Sequence, residues 1–142
     1  MSRAELQQLA EDRILDAQAL LAVQRWSGAY HLAGYAVECG LKSCILAHLD
    51  RTGILFKDRN YLKLLADCWT HELDKLVGIA GLTAELGVAC GANPGLAGYW
   101  GVAKDWKETS RYEQKTEAEA RALYEAITHQ PDGVLRWIRI HW

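Results

Sequence analysis

The sequence has no apolar run approaching the roughly 20 residues that a bilayer-spanning helix needs, and it has no excess of charge of one sign. Over 142 residues the formal net charge is −2, so the chain as a whole does not attract nucleic acid. Contact with RNA would have to come from a local basic patch. The first residues, Met1-Ser2-Arg3-Ala4-Glu5, enter a charged helical pattern without the apolar core of a secretory signal. No membrane partner is expected, and the cytoplasm is the expected location. The four cysteines, Cys39, Cys44, Cys68 and Cys90, include no Cys-x2-Cys pair, and a domain of this size does not depend on disulfide staples. Cys44 and His48 share a helical face, but that face is the apolar stripe, so core packing is expected there and no metal. The glycines between Gly91 and Gly101 lack the Lys-Ser/Thr end of a phosphate-binding loop and follow no clear strand. No cofactor is called for, and neither an internal repeat nor a low-complexity tract is visible.

What is present is an ordinary globular composition, 50% hydrophobic and 24% charged, in a chain long enough to bury one core. A single domain over residues 1–142 follows. Leu6, Leu9, Ala10, Ala17, Leu20 and Leu21 recur at helical spacing and predict a first helix over residues 4–24. Trp26-Ser27-Gly28 interrupts it, with Ser27 as N-cap of the next helix, and so short a linker implies an antiparallel hairpin. Tyr30, Ala33, Gly34, Val37, Leu41, Cys44, Ile45 and His48 predict a second helix over 28–50, whose small residues would let another backbone come close.

Short helices are expected over 60–68, over 73–80 with Gly81 as C-cap, and over 83–90. The breakers from Gly91 to Gly101 predict a loop or broken helix. Thr116 with Glu119 forms the capping-box pattern ahead of Ala120, Leu123, Tyr124 and Ile127, so a long C-terminal helix starts there. Pro131-Asp132-Gly133 should interrupt it before Val134, Leu135 and Ile138 resume the pattern. The fold class is therefore all-α, an up-and-down antiparallel bundle with a short-helix and loop insertion before the C-terminal helix.

Several polar residues fall where chemistry could sit. Glu38 and Lys42 are four residues apart, which as an exposed pair would add only about 0.2–0.5 kcal/mol. On a wheel of 100° per residue Glu38 lies about 80° from the centre of the apolar stripe and Lys42 about 120° away, so Glu38 borders the core. Arg13 falls close to the middle of the first helix's stripe, where an unpaired guanidinium is costly. The hairpin makes Glu38 its expected partner. His71 could cap, pack or act as a base near neutrality. Of the six tryptophans, Trp100, Trp106, Trp137 and Trp142 lie in the last third and should be mostly core. An exposed cluster beside Arg136 and Arg139 would instead mark a binding surface.

The run from Ala29 to Lys42, AYHLAGYAVECGLK, resembles the second helix of bacterial HEPN proteins. The segment Thr70-His71-Glu72-Leu73-Asp74-Lys75-Leu76 resembles the family's His-x-Leu-x-x-Leu element. Tyr99 to Trp106, followed by Ser110-Arg111-Tyr112, is similar to its Trp and Arg-Tyr segment. The resemblance implies a helical bundle that commonly homodimerises, with members acting as RNases, toxins or nucleotide-binding modules.

Three functions stay open on this basis. The first is a noncatalytic or conditionally active module that homodimerises through the long helices and works with another protein, of nucleotidyltransferase type, in a toxin–antitoxin or defence setting. The second is a metal-independent endoribonuclease. The family's nucleases pair an Arg with a His four to six residues on, and such a pair can move a 2′-hydroxyl proton and stabilise phosphate charge. Arg25 with His31 and Arg136 with His141 match that spacing. Arg136 and His141 are the better pair, because one helix could present both. The third is a nucleotide-binding module using Lys42, His71 and Arg111, with Tyr112 beside Arg111.

Overall fold

A computed structural model describes residues 1–53 and 70–142. In chain order the elements are α1 (Arg3–Ala22), α2 (Trp26–Thr52), α3 (Leu73–Ile79), α4 (Thr83–Ala92), α5 (Pro94–Ala103), a 3-10 turn η1 (Glu108–Tyr112), α6 (Glu117–Thr128) and α7 (Val134–His141). The described residues form helices and no strands. The helix expected over 60–68 lies outside them. Among the described residues no single helix is long and apolar enough to cross a membrane.

The hairpin of α1 and α2 is the frame. Ser2 and Glu5 form a capping box that satisfies the first amides of α1, and α1 then lies along α2. Its buried stripe is Leu6, Ala10, Ile14, Ala17 and Leu21. Ile14 therefore occupies the centre expected for Arg13. The chain reverses over residues 23–25 with Gln24 at φ 60°, a left-handed conformation that favours glycine. The Arg25 amide reaches back to the Leu20 carbonyl and the Gln24 amide to that of Leu21, so the turn satisfies carbonyls that the helix end leaves open. Ser27 is not the N-cap. Arg25 holds that position without a side-chain bond, and the Ser27 hydroxyl accepts from the Lys115 amide at 2.9 Å, tying the approach to α6 onto α2.

The second helix is central rather than amphipathic. Residues 36–41 are buried in succession, which a helix shows only when covered on every side, and α1, α3, η1, α6 and α7 all pack on it. Its small residues make the close approaches. Trp106 lies on Gly34, and Ile138 of α7 lies on Gly40.

Of the loop or broken helix expected over 91–101, the broken helix is what forms: α4 runs to Ala92 and α5 starts at Pro94, with Asn93 at the break. Asn93 accepts from the amides of Gly95 and Leu96 at 3.0 and 3.2 Å, and Pro94 occupies the first turn of α5. Asn then Pro is a helix start, because the cap satisfies amides and proline supplies none. Gly98 and Gly101 only lower the helix's own propensity; Leu96, Trp100 and Ala103 bury one face and hold it. Gly81, at φ 71°, closes α3 as expected, with the Leu82 amide on the Val77 carbonyl and its own on that of Gly78. The capping box of Thr116 and Glu119 starts α6, and residues 131–133 separate it from α7. Trp100, Trp106 and Trp137 are core residues.

Candidate functional site

His31, Tyr35, Glu38 and Lys42 recur every three or four residues along α2 and so share one face of it. The start of α3 and the segment around η1 pack there. Glu38 is completely buried, at 0% exposure. Its Oε1 accepts from Lys42 Nζ at 3.1 Å and from Nδ1 of His71. Both partners reach the surface, Lys42 with a side chain 26% exposed and His71 with one 45% exposed. An unpaired carboxylate would be strongly disfavoured in the core, and these two donors hold it. Their bond also fixes His71: with Nδ1 on Glu38, Nε2 is the ring's other site for chemistry or binding.

His71 stands at the edge of a cleft of about 570 Å³, within the range of small-molecule sites. Lys104, Trp106 and Lys107 also line it, together with the acidic Glu72, Asp74 and Glu108. Trp106 is 1% exposed and sits between Gly34 and His31, with ring centroids 5.8 Å from the imidazole. Two buried polar atoms here, Glu38 Oε2 and Trp106 Nε1, have no hydrogen-bond partner among the described residues.

Further along the face, His31 Nδ1 meets the buried Ser110 hydroxyl at 3.4 Å, and the ring stacks parallel to Tyr35. Burial lowers the His31 pKa first, Arg111 lowers it further, and Glu108 and Glu38 pull the other way. The folded state thus resists the proton that the unfolded histidine accepts near its ordinary 6.5. Stability is full above that value and declines as pH falls through 6.5 toward the lower folded pKa. The melting temperature is expected to fall between pH 7.5 and 5.5, and His31→Gln to make that fall shallower without abolishing it. His48, whose pKa burial also lowers, keeps a remainder. An unaltered fall in the variant would remove His31 from this account.

The structure gathers three sequence candidates, Glu38, Lys42 and His71, and places Arg111 where its charge acts on His31. Arg111 pairs with Glu108 at 2.9 Å and lies over the Tyr112 ring, which is 77% exposed. One expectation is sharpened and one corrected. Glu38, expected at the border of the core, is fully buried in it. Arg13 does not reach it, because its guanidinium turns to Asp16 on its own helix at 3.0 Å, as its place beside the stripe allows.

Arg136 and His141 stand apart from this face and from each other. Arg136 is exposed and donates to the Pro131 carbonyl at 2.8 Å. His141 lies against Trp137 and faces Glu85 at 3.5 Å. They line separate clefts that have Trp137 and Ala89 in common. Arg25 is exposed at the hairpin turn, while His31 is partly buried against Ser110. Burial pushes the thiols of Cys39 and Cys44 up to about 11 and about 12, which leaves both unreactive near neutrality. Among the described residues no group of side chains could hold a metal ion. Sequence reasoning passed over Ser110 and the role of Trp106, although the spacing of His31, Tyr35, Glu38 and Lys42 was a signal for the face they close.

Compared with known proteins, the chain matches no family model, no curated protein and no solved structure.

Proposed function

We propose that this chain is a HEPN-like binding module without nuclease activity of its own, and that its ligand is a nucleotide held in the cleft beside His71. The observation that carries the reading is the cleft beside His71, whose imidazole the buried Glu38 carboxylate holds and whose lining sets Lys104 and Lys107 among the carboxylates of Glu72, Asp74 and Glu108. Ammonium groups and an imidazole can take phosphate oxygens, and Thr70 and Thr109, which also line the cleft, offer hydroxyls to a sugar. The up-and-down bundle, the homodimer formed through the long helices, and a nucleotidyltransferase-type partner in a toxin–antitoxin or defence-type system belong to the same reading. Their support is the resemblance to the HEPN family in the second helix, the His-x-Leu element and the Arg-Tyr segment. The nuclease alternative asks Arg136 and His141 to act together, and each is engaged by a different neighbour.

The test is thermal unfolding with purine and pyrimidine nucleotides at millimolar concentration, together with incubation of the protein with RNA. A ligand at about 100 times its Kd adds about 2.7 kcal/mol, so a clear upward shift is expected, lost in a Lys104→Ala/Lys107→Ala double variant. RNA should stay intact with both the parent and Arg136→Ala/His141→Ala. No shift with any nucleotide would refute the binding reading. RNA cleavage that the second double variant abolishes would establish the nuclease instead.

A further inference from the structure

We infer that His71 is a nucleophile whose Nε2 takes the terminal phosphoryl group of a nucleoside triphosphate in the cleft; the inference rests on the nucleotide reading above. Its basis is how the ring is held. A carboxylate can only accept hydrogen bonds, so the contact between Glu38 Oε1 and His71 Nδ1 puts the ring proton on Nδ1 and the lone pair on Nε2. A carboxylate behind an imidazole fixes its tautomer and orientation and raises the basicity of the far nitrogen. Glu38 is fully buried and Lys42 holds the same oxygen, so this support is anchored in the core. The ring that it carries is nearly half exposed and lines the cleft. His141 also faces a carboxylate, but Glu85 is an exposed side chain 3.5 Å away and the His141 ring is mostly covered.

The cleft supplies charge for the incoming group. Lys104 and Lys107 line it, are exposed, and pair with no carboxylate among the described residues. Of the three carboxylates beside them, Glu72 is paired with Lys75 at 3.3 Å and Glu108 with Arg111 at 2.9 Å, which leaves Asp74 to oppose a phosphate against two mobile ammonium groups. In the transfer the Nε2 lone pair attacks the terminal phosphorus. The Nε2–P bond forms as the P–O bond to the departing nucleoside diphosphate breaks, and that oxygen keeps the electron pair. The positive charge left on the ring extends to Nδ1–H, where the Glu38 carboxylate balances it. Histidine is among the side chains that form covalent intermediates, and phosphoryl transfer asks of a protein mainly positioning and charge neutralisation. Glu38 is in this scheme a positioning residue.

The test incubates the full chain with phosphoramidate, a phosphoryl donor without a nucleotide, and separately with MgATP and MgGTP, whose binding is followed by calorimetry. Each donor is expected to add one phosphoryl group by intact mass, stable in alkali and lost in acid as a phosphorus–nitrogen bond is, and ¹H–³¹P correlation should place it on Nε2 of His71. His71→Gln should remove it. Glu38→Gln and Lys104→Ala/Lys107→Ala, both checked for an intact fold by circular dichroism, should each slow the labelling of His71 at least fivefold while leaving the slower labelling of the other histidines by phosphoramidate unchanged. Labelling of His71 by phosphoramidate no faster than that of the other histidines, or nucleotides that bind without transferring phosphate to it, would overturn the inference and leave nucleotide binding standing. Absence of nucleotide binding would overturn both.

Discussion

Cutting Trp106 back to alanine is expected to destabilise the protein by about 3–5 kcal/mol, the range for removing a large aromatic side chain from a core. Among the described residues the ring heads the fully buried side chains by volume. It lies against Gly34 of α2 and His31, four residues before the Ser110 that meets His31 from η1. Truncation therefore opens a void where α2 meets the connection between α5 and α6, and backbone on two sides cannot collapse far to fill it. A domain of this size has about 5–15 kcal/mol in total, so the variant should sit near the edge of unfolding. Urea denaturation will read the loss as a lowered midpoint with an unchanged slope. A loss below about 1 kcal/mol would mean that the ring does not brace this junction.

The hairpin, α3, α4, the start of α6 and the break at 131–133 were legible in the sequence because each carries a local signal: a 3.6-residue stripe, a capping box, a proline or a terminal glycine. The helix over Pro94–Ala103 was legible only as one of two alternatives, loop or broken helix, because of its own glycines. Its start signal, Asn93-Pro94, was present, but its stability comes from burying Leu96 and Trp100 against other elements, which no local window contains. The site was legible in part for the same reason. Position on the wheel put Glu38 near the core, and burial follows from that. Its partner could not be read so directly, since Arg13 lies on the helix packed along α2 and His71 lies on a segment 33 residues away in sequence. The buried stripe runs through Ile14, which leaves Arg13 at its flank with Asp16 in reach. Glu38 is thus open to the residues that α3 brings, and α3 begins with His71 two residues before its first turn.

Gly34→Ala is expected to cost about 2 kcal/mol, although alanine is the better helix former by about 1 kcal/mol in a helix interior. The added Cβ would stand 2.2 Å from Cδ1 and from Nε1 of Trp106 and 2.3 Å from Cγ, where carbon atoms pack at about 3.5–4.0 Å. Three atoms of one rigid ring are struck together, so no small side-chain rotation clears them; the indole or α2 itself has to move by about 1 Å or more. Overpacking on that scale typically costs 1–3 kcal/mol, and the upper end applies because the ring is enclosed. Gly98 supplies the comparison, since a Cβ there meets nothing and Gly98→Ala should stabilise by up to about 1 kcal/mol. The decisive measurement is a double-mutant cycle by urea denaturation. In the Trp106→Ala background the obstacle is gone, and Gly34→Ala should change sign and stabilise. If it destabilises equally in both backgrounds, the requirement for glycine lies in the packing of α2 against its other neighbours and not in the seat of the indole.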